Sequence, residues 1–532
     1  MIKKSLRWFT AAATVAVLFC VDLAVAAAAK GHAEHVVIVI WDGMRPEFVR
    51  EELTPTLWKL SRAGVTFQNH HALYPSSTEV NGTGIATGVH PRRNGLMGNW
   101  EYRPEIDPEK PMSRETPDAL IRGDQLSGGK YLALPTLAER VQAAGHRTAI
   151  AGTKWGTVLQ DRSRQRESAA AKDSVVFFGR SALPEAALES FKKVLGAFPE
   201  RVDFPNRPQD SWTTRALTDV LWKEGVPKFS LLWLSDPDFT QHHTAPGSAK
   251  ALAAMKSSDD HLATVLAALE AKKVRDKTDV LVVSDHGFAT VERSVDVTTL
   301  LNDAGFSAVT KFKEEPRRGQ IMVVGNGGSV FFYVIERDPA VRQRLVEFLQ
   351  GSDFAGVLFT REKAEGTFPL GHVQIDTRGA PDVVMAFRWH DGANEFGARG
   401  LIHADWKRGA GHGTHATLSK FDMHNTMIAA GPDFRRGFVN DLPTGNIDLA
   451  PTILAILGID SGERLDGRVL TEAMVHRELP APRAETERIE ATRQLPSGLW
   501  RQYLQISRVR GTSYFDEGNG SFTAGREAVA AE

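Results

Sequence analysis

His35-Val36-Val37-Ile38-Val39-Ile40-Trp41-Asp42-Gly43 decides how the rest of the chain is read. Six apolar residues follow His35 without alternation, so the segment is apolar on both faces, as a parallel strand buried between two helical layers requires. It stops abruptly at Asp42-Gly43. Two further runs have the same build. Residues 229–234 (FSLLWL) lead into Ser235-Asp236-Pro237-Asp238, and residues 279–283 (DVLVV) lead into Ser284-Asp285-His286-Gly287. Between them lie helical signals: Thr54-Pro55 as N-cap and first-turn proline with Gly64 as stop, a helix over 135–144 before a short strand at 148–151, and a long amphipathic stretch over 251–271. Strands alternating with helices predict an α/β fold, a mostly parallel central sheet flanked by helices. Ligands of such sheets bind beyond the carboxyl ends of the strands, so Asp42, Asp238 and Asp285 are expected to converge.

Composition narrows the function. The 532 residues carry 64 Lys+Arg against 65 Asp+Glu, a net charge of −1, which argues against a dedicated nucleic-acid-binding module. Hydrophobic residues at 42% and charged residues at 24% exclude a disordered chain. A single cysteine, Cys20, excludes a disulfide framework and a thiolate zinc finger, so any metal would rest on His, Asp and Glu. Lys3, Lys4 and Arg7 precede a 14-residue apolar run, 8–21, and the small-x-small pattern Ala24-Val25-Ala26. That is an export signal over 1–26, too short for a membrane span of ~20 residues, with a retained anchor as its alternative. The expected organisation is a signal peptide (1–26), one catalytic domain (27–480) with cap-like insertions near 155–227 and 289–410, and a C-terminal extension (481–532). Within that extension, 483–493 reads as a charged surface linker and 500–515 as a late strand. No membrane span is expected after cleavage, and the mature protein is expected in the periplasm or secreted.

The chemistry-bearing residues are scattered. Asp238 and His242 stand four apart, one face of a helical turn, so they can share a metal; a capping Asp beside a surface His is the plain alternative. Asp285-His286 and His412-Gly413-Thr414-His415 add carboxylate and imidazole, a donor set that suits zinc, manganese or iron. Tyr74-Pro75-Ser76-Ser77-Thr78-Glu79 crowds hydroxyls before a helical segment, where free N–H groups would favour an anion beside a nucleophile. No phosphate loop is present: Gly128-Gly129-Lys130 is followed by Tyr131.

Together these pieces resemble the alkaline phosphatase superfamily, specifically its type I phosphodiesterase/nucleotide pyrophosphatase family. The resemblance covers about 35–100, 212–288 and 403–474. Asp42-Gly43-Met44-Arg45 resembles the family's Asp-Gly-x-Arg, 74–81 its Tyr/Phe-Pro-Thr-x-Thr-Phe-Pro-Asn, Thr87-Gly88 its Thr-Gly, Gly98-Asn99 its Gly-Asn, 237–242 its Pro-Asp-x-x-Gly-His and 285–287 its Asp-His-Gly. His415 resembles the last metal histidine, with His412 as a competing match. The resemblance implies an alkaline-phosphatase-like fold and Thr78 as nucleophile, with Ser76 and Ser77 as rivals. It implies Asn99 on a non-bridging phosphate oxygen and two zinc ions. One zinc would be held by Asp238, His242 and His415. The other would be held by Asp42, Asp285 and His286 and would coordinate Thr78. Glu79, Val80 and Gly82 depart from the family's Phe, Pro and His, and Gln241 and Ala416 replace glycines.

The expected activity is hydrolysis of a small phosphodiester or nucleotide. The alternatives are a phosphomonoesterase or phosphonate hydrolase of the same superfamily and, more remotely, a non-catalytic exported metal-binding protein. Lys154 would mark a monoesterase if it reached the site; a solvated loop lysine is its plain reading. Phe177, Phe178 and Trp212 are expected to wall the site and stack on a base.

Overall fold

The computed structural model describes residues 30–113, 117–129, 131–162, 168–476 and 482–525. The export signal expected at 1–26 lies outside them. Among the described residues, no helix is long and apolar enough to cross a membrane.

His35–Trp41 is a strand at the middle of a nine-stranded sheet. Its alternate side chains divide between two cores, as an unbroken apolar run dictates. Val36, Ile38 and Ile40 face a layer that includes Leu137 and Val141 of helix Leu137–Ala143 and Ile453 of helix Leu449–Leu457. Val37, Val39 and Trp41 face Leu57 and Leu60 of helix Pro55–Ala63 and Met255 and Leu262 of helix Ala249–Ala271. Five strands run parallel through the centre: Thr278–Val283, His35–Trp41, Phe229–Leu234, Thr148–Gly152 and Val175–Phe178. Antiparallel neighbours, Met427–Ala430 and Ser181–Leu183, flank them. The α/β reading holds, and so does the mostly parallel sheet.

Register is what builds the site. Ile40 pairs with Val283 on one side and with Trp233 on the other. The three strands therefore end level, and the residues just beyond them emerge at one edge of the sheet. The helix at Pro55 starts where expected, but Thr54 does not cap it: the Asp259 carboxylate takes the N–H groups of Thr56 and Leu57 at 2.9 and 2.8 Å.

Two readings need correction. Phe177, Phe178 and Trp212 do not wall the site. Val175–Phe178 extends the central sheet, and Phe177 and Trp212 pack on each other in its core with ring centroids 4.7 Å apart. Aromatic area is worth more buried than lining a cleft. Residues 289–410 hold a six-stranded sheet and three strands of a four-stranded sheet, with a packed interior of their own. Residues 483–493 are not a linker: Ala484–Leu495 is a 12-residue strand, paired antiparallel with Gly498–Val509, which pairs with Thr512–Ala524. Its charges lie on an exposed edge, where they discourage further pairing. Ile489 and Ala491 pack inward against the neighbouring sheet, a two-residue alternation hidden in a charged run.

Candidate active site and metal centre

Asp42 leaves the central strand fully buried, and Gly43 turns the chain with φ of +71°. A Cβ on Gly43 would lie 3.0 Å or less from Asp238 and Phe288, so glycine permits this approach. The Gly43 N–H donates to Asp285 Oδ1 at 3.1 Å, and the Asp238 N–H donates to the Asp42 carbonyl at 2.9 Å. Backbone bonds thus hold three carboxylates of like charge together.

The imidazoles complete the cluster. His286 Nδ1 bonds the Gly287 carbonyl, His242 Nδ1 the Gly413 carbonyl and His415 Nδ1 the Ser76 carbonyl, at 2.8–3.0 Å. Each ring therefore has its Nδ1 occupied and its Nε2 turned inward, the arrangement found in metal-ligating histidines. His286 Nε2 lies 3.3 Å from Asp285 Oδ2 and 3.6 Å from Asp42 Oδ1; His242 and His415 Nε2 lie 3.2 and 3.5 Å from Asp238 Oδ1. Those three carboxylate oxygens, Asp42 Oδ1, Asp238 Oδ1 and Asp285 Oδ2, are buried with no hydrogen-bond donor. Buried acceptors are costly unless something satisfies them, and a hard divalent cation does. Two triads have metal-binding geometry, Asp238/His286/His415 and Asp42/Asp285/His286. The residues present fit a pair of metal ions. His242 reaches Asp238 alone of these carboxylates, and His286 stands in both triads. His412 is exposed at the turn before the cluster, so of the two competing histidines only His415 is in place.

Electrostatics follow burial. Burial and the facing Asp285 push Asp42 well above the usual carboxylate range. Burial acts likewise on Asp238, but the Lys154 ammonium and His242 override it and hold Asp238 well below that range. Burial and the His286 ring hold His415 well below the usual imidazole value, neutral as a ligand must be.

Lys154 is no solvated loop lysine. It follows strand Thr148–Gly152, whose end lies beside that of Phe229–Leu234, and its Nζ sits 2.9 Å from Asp42 Oδ2 and 2.5 Å from Asp238 Oδ2. Burial alone would lower its pKa; Asp238 and Asp42 instead raise it well above the ordinary value. A lysine two residues beyond a parallel strand is the legible signal.

Thr78 opens helix Thr78–Thr87 behind Ser77, and its Oγ1 lies 3.2 Å from His286 Nε2. Ser76 Oγ turns away to donate to the Thr417 carbonyl at 2.9 Å, and Ser77 Oγ is buried without a partner. Of the three hydroxyls, only that of Thr78 touches the cluster. Asn99 Oδ1 accepts from the Glu79 N–H at 3.1 Å, which leaves its amide N–H₂ to face the cleft. The cleft, about 490 Å³, is lined by Thr78, Asn99, Lys154, Asp238, His242 and His415 at its base and by Trp155, Phe198, Phe239 and Arg408 further out. Two of its aromatics, Trp155 and Phe198, are neighbours of the residues expected to form the wall.

Known proteins resemble this chain in sequence and in fold. The family model of type I phosphodiesterase / nucleotide pyrophosphatase matches residues 36–389. A venom phosphodiesterase of Crotalus durissus collilineatus is 23% identical over 253 residues, 46% of this chain and 25% of that protein. Human ectonucleotide pyrophosphatase/phosphodiesterase family member 1 is 23% identical over 252 residues, 46% and 22% of the two chains. The chain thus spans about a quarter of the length of these curated relatives. Murine ectonucleotide pyrophosphatase / phosphodiesterase 5, solved in an inactive form in complex with AMP, superposes with a TM-score of 0.57 at 15% identity, over 83% of this chain and all of that one. That likeness establishes the alkaline-phosphatase-like fold, and the family match does the rest: the chain belongs to the type I phosphodiesterase/nucleotide pyrophosphatase family.

Proposed function

We propose that this chain is an exported, zinc-dependent phosphodiesterase/nucleotide pyrophosphatase that cleaves a phosphodiester or pyrophosphate bond through a covalent Thr78 intermediate. The observation that carries the reading is the convergence of three donorless carboxylate oxygens and three inward-turned imidazole nitrogens on the Thr78 side of the cleft. Asp42, Asp285 and His286 would hold one ion; Asp238, His242 and His415 would hold the other. Bound there, the pair supplies Lewis-acid stabilisation of charge at the attacking and leaving oxygens.

The chain's own residues do the rest. Thr78 Oγ1 forms the new bond to phosphorus while the ester oxygen opposite leaves; water then breaks the Thr78–phosphorus bond and restores the hydroxyl. The N-terminus of helix Thr78–Thr87 presents its dipole to the phosphoryl oxygens. Asn99, oriented by the Glu79 N–H, donates to one of them. The small-molecule substrate lies along the cleft.

A second reading, phosphomonoesterase or phosphonate hydrolase, is favoured by one observation, the Lys154 ammonium among the carboxylates. Release of 4-nitrophenol from bis- and mono-(4-nitrophenyl) phosphate, with and without chelator, separates the two. Higher kcat/KM on the diester, abolished by chelator and restored by Zn²⁺, is the expected result. Full activity in protein that elemental analysis finds free of transition metal overturns the metal reading. N-terminal sequencing of protein from the producing cell is expected to start near Ala27.

A further inference from the structure

We infer that Trp233 is a positioning residue that ties the nucleophile helix to the Asp42 carboxylate. The inference rests on the metal reading above. Trp233 sits in strand Phe229–Leu234, one of the most deeply buried large side chains in the protein, in a run that otherwise carries Phe, Ser and Leu. A tryptophan buried there needs a partner for its indole N–H. That partner is Asp42: Nε1 donates to Oδ2 at 2.9 Å. Lys154 Nζ bonds the same oxygen at 2.9 Å. Both donors of this carboxylate therefore lie on Oδ2, and Oδ1 is left toward His286 Nε2. Indole and ammonium together fix which oxygen Asp42 offers.

The far edge of the same ring lies under the nucleophile helix. A Cβ on Gly82 would come within 2.4 Å of Trp233 Cη2 and 2.9 Å of Cζ3. Gly82 is one turn into helix Thr78–Thr87, and its carbonyl accepts from Gln160 Nε2 at 2.8 Å. The absence of a side chain at 82 is what lets the indole lie against the helix. One rigid ring thus contacts the helix that carries Thr78 and the carboxylate that faces it, and sets the distance between them. Trp233 does not line the cleft, so it acts through Asp42 and the helix.

The test strips the full-length protein of metal and titrates it with Zn²⁺ against a competing chelator, beside the melting temperature of the apo form. Trp233→Phe keeps an aromatic ring but removes the N–H. Zn²⁺ binding at the Asp42 site is expected to weaken ~10–100-fold, the range for removing a group that orients a ligand. Gly82→Ala keeps the N–H but displaces the ring. It is expected to weaken Zn²⁺ binding in folded protein too, and serves where Trp233→Phe does not fold. The double variant is expected to melt above Gly82→Ala alone, because the smaller ring leaves room for the methyl group, while its Zn²⁺ affinity stays at the Trp233→Phe level. A purely structural tryptophan would lower the apo melting temperature and leave affinity unchanged; wild-type affinity in both single variants overturns the inference. Wild-type protein that binds no Zn²⁺ overturns the metal reading itself and is told apart by that control.

Discussion

Two of the groups of charged side chains deep in this protein are wired in opposite ways. Around Asp448 every polar atom is answered from within. Asp448 accepts from the Arg468 and Gly445 N–H groups and the Tyr514 hydroxyl at 2.8–2.9 Å; Arg468 grips Glu472 with both terminal nitrogens and donates to Tyr514 and the Pro443 carbonyl. At the strand ends, Asp42, Asp238 and Asp285 each keep one buried oxygen that no donor reaches. A network that satisfies itself has finished its work on folding; here it locks strand Thr512–Ala524 onto the loop before helix Leu449–Leu457. A network that leaves acceptors open is arranged for something that arrives later.

Breaking the open cluster is expected to cost function out of proportion to stability. Thr78→Ala removes the attacking oxygen but none of the carboxylate or imidazole donors. Turnover is expected to fall about four to six orders of magnitude, the scale for losing a nucleophile, with Zn²⁺ content unchanged. Ser76→Ala and Ser77→Ala are expected to be mild. A lethal Ser77→Ala beside a mild Thr78→Ala would move the nucleophile one residue along the chain.

Breaking the closed cluster is expected to do the reverse. Arg468→Met leaves half-buried Glu472 and fully buried Asp448 without their cation. Stability is expected to drop by about 3–5 kcal/mol, as for a buried ion pair that loses one partner. Activity per folded molecule should persist. Denaturant midpoints read beside active-site titration would check both halves. An inactive but fully stable Arg468→Met would erase the distinction between the clusters.

Asn99→Ala sharpens the comparison from the substrate side. The amide is held by the Glu79 N–H and points its donors at the cleft. Its loss is expected to lower diester kcat by roughly 10²–10³, the range for one oxyanion donor, with stability little changed.

The sequence carried the open cluster well and the closed one poorly, for a physical reason. Asp42, Asp285 and Asp238 stand one, two and four residues beyond buried strands, and parallel register forces such strand ends to one edge, so local pattern sufficed. Asp448, Arg468 and Tyr514 belong to segments with no such geometric rule. Tyr514 arrives on a sheet whose first strand, Ala484–Leu495, looks like a charged linker because its exposed edge outnumbers its few inward residues. Phe177 and Trp212 are core rather than cleft wall for a related reason: an aromatic residue's type does not tell one from the other, and the extension of the sheet by Val175–Phe178 decides it. Trp233 as a donor to Asp42 depended on a 2.9 Å contact across 191 residues of chain, which no spacing encodes.

Apo stability separates the clusters by sign. Asp285 Oδ1 is already bonded by the Gly43 and His286 N–H groups, while Oδ2 has no donor. Asp285→Asn preserves the first oxygen and removes a buried charge that lies against Asp42. The metal-free variant is expected to melt at or above the wild-type apo protein, with a gain of up to about 1–3 kcal/mol from the removed desolvation cost, while activity is lost. A clear fall in apo stability would mean that this carboxylate also serves the fold.

Lys154 is expected to give the smallest effect, and it bears on substrate charge. Three carboxylates and one ammonium leave the base of the cleft at −2; two divalent ions would bring it to +2, which balances a monoester dianion and exceeds a diester monoanion by one charge. Lys154→Ala removes one positive charge and two contacts to Asp42 and Asp238. For a diester the remaining charge still balances, so kcat/KM is expected to change less than about tenfold, under ~1.4 kcal/mol. For a monoester the deficit is felt in full, and the cost of a lost charged hydrogen bond, ~1.5–3 kcal/mol, corresponds to a loss of about 10- to 150-fold. Both substrates should be measured on one preparation of variant and wild type with Zn²⁺ in excess, so that weaker metal binding does not masquerade as a substrate effect. Equal losses on both would make Lys154 a support for the two carboxylates alone. A steep loss confined to monoesters, in a protein whose monoester turnover exceeds its diester turnover, would establish the second reading.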